Sequence, residues 1–327
     1  MSESGAGGEI TSVAVIGAGT MGHGLAQVFA IHGCDVALAD RTLDLAEGGK
    51  ARMAVNLETV VAEGLLAAEE VDGVLARVHP TSEPTVAVAD ADFVLEAVFE
   101  DIELKRKTFS QLGPLARSDA ILASNTSSFD INELAAVVDD ASRVIGTHWF
   151  NPPPITPCVE VIPADATSQR TVDATVEFLR RMRKEPAVTK SVPGFVGNRI
   201  QLVMAAEAYR CLEEGVASAK AVDTIVRTSF GFRLADYGPL RIADLAGLDT
   251  YLGIYDYLRE KYGDDRYEAP ELVRQLVEQG RLGTKTLGGV YDYTEEDAAR
   301  LRAERDRALY RRLRAYWAER DGDDEER

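Results

Sequence analysis

Only four histidines occur in the 327 residues, and one of them, His148, stands in "GTHWFNPPPITPCVEV", residues 146–161, twelve residues before Glu160. An imidazole is the side chain whose ordinary pKa lets it take and return a proton near neutrality. A carboxylate bonded to its second nitrogen orients the ring and stabilises the protonated form, which is what a general base requires. In "CVEVI" the alternation of a strand sends Val159 and Val161 to one face and Glu160 to the other, with Cys158 and Ile162. A carboxylate among apolar neighbours needs a polar partner, and His148 is the nearest candidate. The proline run between them reads as the turn that brings the two together. The other histidines have no such setting. His23 and His32 open and close one helical stretch, and His79 precedes Pro80 in a polar loop.

A base that removes a hydroxyl proton needs an acceptor for the hydride. The run "VAVIGAGTMGHG" sets Gly17-x-Gly19-x-x-Gly22 directly after an apolar strand and before the helical "LAQVFAIHG". Such glycines allow a tight turn, close approach of the backbone to a pyrophosphate and strand-to-helix packing, with the helix N-terminus facing the anion. Asp40 ends the next strand, "DVALAD", eighteen residues after Gly22, about where an acid meets the ribose hydroxyls. Its charge repels a 2′-phosphate, so NAD is expected over NADP; Arg41 beside it is the feature that argues the other way.

Two further polar elements accompany these. "ILASNTSSFDINELA" runs a strand into the exposed loop Ser124 to Ser128 and then into a helix opened by Asp130-x-x-Glu133. In "PGFVGNRIQLVM" Asn198 shares a helical face with Leu202, Ala205 and Leu212, which predicts that its amide meets a polar partner.

The elements that position these residues follow from the pattern. From Ile10 to about Lys190 the short runs "VAVIG", "DVALAD", "DFVLEAV", "AILAS", "RVIGTH" and "CVEVI" alternate with helical stretches, the signature of parallel βαβ units. After "SVPGF" the strands stop and helical segments follow, the first closed by Gly215. The expectation is a disordered start over 1–9, an α/β domain with a mostly parallel sheet over 10–192, and a helical domain over 193–327. The last segment opens on Thr294-x-x-Asp297 and places Leu309, Leu313, Tyr316 and Trp317 on one stripe.

Composition narrows the function classes. A formal charge of −18 makes nucleic acid an unsuitable partner, because phosphate binding needs a basic face. Cys34, Cys158 and Cys211 are scattered without metal-ligand spacing, so neither a disulfide framework nor a metal centre is expected. The polar, Gly-rich start has no basic or apolar leader pattern, and no run reaches the roughly 18 apolar residues of a membrane span, so the expected location is the cytoplasm.

Taken together, "GAGTMGHG", "LEAVFEDIELK", "ASNTSS", "GTHWFNPPP" with "VEVI", "VPGFVGNRI", "GPLRIADLAGLDTY" and "GRLGTKTLGGVYDY" resemble the 3-hydroxyacyl-CoA dehydrogenase family over residues 13 to about 293. The resemblance implies a Rossmann-type domain that binds NAD and an all-helical C-terminal domain that contributes to the substrate site and dimerises. It implies conversion of a short 3-hydroxyacyl-CoA, such as 3-hydroxybutyryl-CoA, to its 3-ketone. Matched motif by motif, His148 resembles the base, Glu160 its partner, and Ser127 and Asn198 the residues that hydrogen-bond around substrate and cofactor. Gly17, Gly19, Thr20, Met21, Gly22, Asp40, Glu100, Lys105 and Ser127 fall at cofactor positions.

One stretch departs from that pattern. CoA-using members carry a lysine-rich helix after the second strand, whereas this chain reads "NLETVVAEGLLAAEEVDG", with Asn56 and Glu63 where a Ser and a Lys are expected. Lys50 and Arg52 are the positive charges that stretch retains nearby. The alternative is therefore the same chemistry on a free hydroxy acid or alcohol of the carnitine, sugar-acid or pyridine-carboxylate type.

Overall fold

The computed structural model describes residues 9–325, with side chains described through Arg320. Residues 1–8 of the expected disordered start, and the side chains ending the charged tail, lie outside the described residues. The chain divides into two compact units, Met1–Ala205 and Ala206–Arg327.

In the first unit eight strands form one sheet: β1 Ser12–Ile16, β2 Asp35–Ala39, β3 Val78–Thr81, β4 Phe93–Glu96, β5 Ile121–Ser124, β6 Val144–Trp149, β7 Cys158–Pro163 and β8 Glu185–Val188. Their order is β3-β2-β1-β4-β5-β6-β7-β8. Every neighbouring pair is parallel except β6 and β7, which are antiparallel. The fold class is thus α/β with a mostly parallel sheet, followed by helices.

The two strands that pattern did not announce are the two edges. β3 contains Pro80 and β8 contains Pro186. Proline removes a ladder donor, so it is tolerated in a sheet chiefly at an edge, where that donor has no partner to serve. His79, expected in a loop, is accordingly an exposed residue of an edge strand.

Alternation along the strands builds two cores, one on each face of the sheet. Val13, Val15, Phe93, Trp149, Val159 and Val161 pack on one side, and Ala14, Ile16, Val94, Leu122 and Ile162 on the other. The first side centres on the rings of Phe29, Phe93, Phe178 and Trp149, with centroids 5.0–6.5 Å apart. Truncating one such ring to alanine costs about 3–5 kcal/mol. The helices Thr20–Ile31 (α1) and Leu43–Ala62 (α2) follow β1 and β2.

The second unit is helical. Its anchor is Asp244, in the helix Pro239–Ala246, whose carboxylate accepts from the N–H groups of Val290 and Tyr291 and from the Tyr293 hydroxyl. The helix Glu295–Glu325 is capped by a reciprocal pair, Thr294 with Asp297. It buries Ala298, Leu301 and Ala308, whereas Leu313 and Trp317 of the expected stripe are 38% and 52% exposed. The buried line follows 3.6 residues per turn along a face earlier in the helix than the expected stripe.

Candidate active site

The β1–α1 turn has the geometry of a dinucleotide cradle. Gly17 has φ of +108°, and a Cβ there would lie 2.6 Å from the Ala97 carbonyl oxygen. A Cβ on Gly22 would collide with the Gly17 carbonyl, while one on Gly19 would meet nothing within 4 Å. No side chain caps the start of α1 at Gly19. The backbone N–H groups of its first turn, Thr20, Met21 and Gly22, are therefore free to face a pyrophosphate. Asp40 closes one side: its Oδ2 accepts from Ala18 N at 2.8 Å and its Oδ1 from Arg41 N at 2.7 Å. These residues fit NAD.

The base candidate and its carboxylate are direct cross-strand partners, His148 on β6 opposite Glu160 on β7. The tip beyond them holds "NPPPITP", where Ile155 N and Thr156 N both donate to Pro152 O. His148 Nδ1 lies 2.7 Å from Glu160 Oε2, with the two residues 5% and 3% exposed. Phe150 and Phe195 flank the ring at centroid distances of 4.5 and 5.8 Å. Because Nδ1 is engaged, Nε2 is the nitrogen left to exchange a proton.

Glu160 is held from a second direction. Its Oε1 accepts from Val196 N at 2.9 Å and Gly197 N at 3.0 Å, at the start of the helix Gly197–Glu213. Burial pushes its pKa up, but the bonds from His148, Gly197 and Val196 outweigh burial and hold the carboxyl below its ordinary 4.5. A side chain at Gly197 would displace the Phe150 ring that packs on the imidazole, since a Cβ would lie 2.5 Å from Phe150 Cζ.

The next residue, Asn198, donates from Nδ2 to Ser127 O at 2.8 Å, so residues 196–198 tie the His148 pair to the loop after β5. Glu100 organises that loop, its Oε1 accepting from Thr126 Oγ1, Ser127 N, Ser127 Oγ and Ser128 Oγ at 2.7–3.1 Å. Burial raises the Glu100 pKa, yet the Thr126 hydroxyl, Lys105 and the loop donors bring it below the ordinary value. Lys105 is 1% exposed, 2.8 Å from Glu96 Oε1 and 3.2 Å from Glu100 Oε2.

Sequence reasoning missed Glu96, which lies at the end of the fully buried β4 and accepts from Lys105, Ser124 Oγ and Val98 N. Its only signal was a Glu closing an otherwise apolar strand, "FVLE". His23 and His32 each direct Nδ1 to a helix carbonyl, Gly19 O and Val28 O. On α2 the retained cations bond to backbone, Lys50 to Val78 O and Arg52 to Ala18 O, while Asn56 is half-buried and Glu63 exposed.

Residues 12–192 match the family model described as 3-hydroxyacyl-CoA dehydrogenase, NAD binding domain, and residues 194–293 match its C-terminal domain. The chain belongs to the 3-hydroxyacyl-CoA dehydrogenase family. It is an NAD-dependent oxidoreductase of that family, whose members convert a 3-hydroxyacyl-CoA to its 3-keto form. A 3-hydroxybutyryl-CoA dehydrogenase of Bradyrhizobium diazoefficiens is 40% identical over 284 residues, which are 87% of this chain and 96% of that protein. The solved 3-hydroxyacyl-CoA dehydrogenase of Archaeoglobus fulgidus is 32% identical with a TM-score of 0.75, covering 93% of this chain and 99% of that one. A solved 5-formyl-3-hydroxy-2-methylpyridine 4-carboxylic acid 5-dehydrogenase is 34% identical with a TM-score of 0.71, covering 93% and 98%. Among the described residues no helix is long and apolar enough to cross a membrane.

Proposed function

We propose that this dehydrogenase acts on a short-chain 3-hydroxyacyl-CoA, of which 3-hydroxybutyryl-CoA is the type, with His148 as general base. The observation that carries the reading is the 2.7 Å bond between His148 Nδ1 and a buried Glu160 whose other oxygen takes two backbone N–H groups. Glu160 fixes the ring with Nε2 outward, and its negative charge favours the imidazolium that forms as the C3 hydroxyl proton arrives. NAD, when bound, accepts the hydride from C3. Asn198 and Ser127, joined to each other and to Glu160 through residues 196–198, hydrogen-bond around substrate and cofactor, with Ser127 near the nicotinamide. Glu100 and Asp40 stand on the cofactor side, with Lys105 buried behind Glu100 as its ion-pair partner.

We further assign the enzyme to the cytoplasm, to fatty acid metabolism and to a homodimer formed through the C-terminal domain. The helix Gly197–Glu213 supports the dimer: it buries no residue in the single chain, and Leu202 and Val203 are 64% and 71% exposed. Apolar exposure on this scale marks an association surface. Light scattering that gives the mass of one chain would refute the dimer.

A second reading rests on α2. Where CoA phosphates call for cations, the stretch holds Glu58 and Glu63, both exposed, and its cations bond to backbone carbonyls. The same hydride transfer on a free hydroxy acid fits that surface. Initial rates of NADH oxidation with acetoacetyl-CoA and with acetoacetate decide the matter: turnover of the thioester alone is expected, and turnover of the free acid alone moves the substrate to the second class.

A further inference from the structure

Lys184 is a buried cation that the chemistry above does not use. It is 7% exposed, and among the described residues no carboxylate is paired with it. Its Nζ donates to Pro153 O at 2.6 Å and Thr156 O at 3.0 Å, and lies 5.7 Å from the centroid of the Trp149 ring. Burial pushes its pKa down, the mark of an ammonium that gives up solvation. An apolar residue would fill this place without that desolvation cost. The lysine differs from such a residue in one respect: it makes two directed bonds into a single turn.

That turn joins β6 to β7 and is held by a second element as well. A Cβ on Gly24 of α1 would lie 3.2 Å from both Pro153 Cδ and Pro154 Cδ. The cofactor helix therefore rests directly on the prolines, and a methyl group there would have to push them back by a few tenths of an ångström. Trp149 and Phe150 lead from His148 into the turn, and Phe150 packs on the imidazole. Lys184 follows directly on the end of the helix Gln169–Arg181, where Arg183 takes the left-handed φ of +53° of a helix C-terminal turn and Lys184 N donates to Leu179 O at 3.0 Å.

We propose that Lys184 is a positioning residue for hydride transfer, pinning the Pro152–Thr156 turn between the cofactor helix α1 and the strand that carries His148. The ammonium and Gly24 form two jaws, and their separation sets how closely the base approaches the cofactor-bearing turn. Near-attack geometry tolerates little slack, so loosening either jaw lowers the rate of transfer without removing a group that touches substrate or cofactor.

The inference rests on the reading of His148 as base, and the test separates the two. Arg143 is a matched control: a buried cation of the same unit that donates to the carbonyls of Gly113, Arg117 and Ala120. Lys184→Met, Arg143→Met, Gly24→Ala and His148→Gln are compared by melting temperature, by kcat and KM for NADH and acetoacetyl-CoA, and by the primary deuterium isotope effect on the transferred hydride. Lys184→Met and Arg143→Met are both expected to lower the melting temperature. Only Lys184→Met is expected to lower kcat by tenfold or more with KM for NADH within threefold, and to raise the isotope effect. Gly24→Ala, which keeps the lysine and pushes the turn from the other jaw, is expected to show the same signature more weakly. It also decides the question if Lys184→Met does not fold. A kcat and isotope effect unchanged in both Lys184→Met and Gly24→Ala, or a loss equal to that in Arg143→Met, overturns the proposal. A His148→Gln enzyme with normal kcat sinks the base assignment instead.

Discussion

Glu160 in the sheet unit and Asp244 in the helical unit are carboxylates removed from water to nearly the same degree, at 3% and 1% exposure. Each accepts two backbone N–H groups, Glu160 from Val196 and Gly197 and Asp244 from Val290 and Tyr291. Each also takes one side-chain partner, His148 at 2.7 Å and the Tyr293 hydroxyl at 2.9 Å. As solutions to the problem of a buried charge they are nearly interchangeable. They differ in what the partner can do with a proton. Burial, followed by the bond to Asp244, drives the Tyr293 pKa well above the ordinary tyrosine value, so the phenol keeps its proton throughout the neutral range. An imidazole gains and loses one there. On the proposed reading one carboxylate is part of a proton relay and the other part of a staple, and the partner's chemistry rather than burial tells them apart.

The sharpest way to break this comparison is to remove the relay's moving part. His148→Gln keeps a hydrogen-bonding side chain beside Glu160 but carries no proton, and kcat should fall by about 10²–10⁴. NADH affinity measured by fluorescence should stay within a few-fold. A kcat near that of the parent enzyme, measured where hydride transfer limits the rate, would show the two centres to be alike after all.

Glu160→Gln is expected to cost less, on the order of 10²-fold in kcat, since the base remains but its orientation and the stabilisation of the imidazolium are lost. Stability adds a signature in acid. The folded-state pKa of Glu160 lies below its ordinary 4.5, so its contribution is fully present above about 4.5 and disappears as pH falls through the lower folded value. The stability gap between the parent and Glu160→Gln should thus be flat at neutral pH and close only in acid. A gap that widened as pH fell would mean the carboxyl is held protonated in the fold.

Much of this was legible beforehand because it is local. The glycine turn, Asp40 at the end of β2 and the alternation that turns Glu160 away from Val159 and Val161 all follow from spacing within one or two elements. The His148–Glu160 pair was legible because two strands joined by a proline turn leave few registers. What stayed hidden depends on distant chain. Glu96 and Lys105 are nine residues apart, yet their burial is decided by β1 and β5 on either side of β4. Lys184 carries no signal within "RMRKEP", and only the return of β8 beside β7 brings it to the proline turn. The edge strands β3 and β8 escaped for a related reason, since proline signals against a strand except at an edge, and edges are a property of the assembled sheet.

On the staple side of the comparison the expected effects are in stability. Asp244→Asn replaces one acceptor oxygen with a donor that faces the Val290 or Tyr291 N–H, leaving at least one buried group unsatisfied. The loss should be about 1–3 kcal/mol in chemical denaturation, with kcat of the folded enzyme within twofold. Glu160→Gln is expected to lose stability as well, since it too faces two buried N–H groups, but only there does kcat fall with it, so the kcat readout separates relay from staple.

The smallest effect should come from Tyr293→Phe. The hydroxyl is one of three donors to Asp244, and the two backbone N–H groups remain when it is removed. Oδ2 keeps its bond from Tyr291 N, so the carboxylate is thinned of donors rather than abandoned. The ring, 8% exposed and packed with Ala298 and Leu301, keeps its apolar contacts. A neutral hydrogen bond lost under those conditions is worth about 0.5–1.5 kcal/mol, read as a small shift of the denaturation midpoint without a change in slope. Catalytic constants should not move. If Tyr293→Phe instead lowered kcat while leaving the midpoint in place, the phenol would be working as a proton-transfer group, and the distinction drawn from the partner's chemistry would fail where it was expected to be safest.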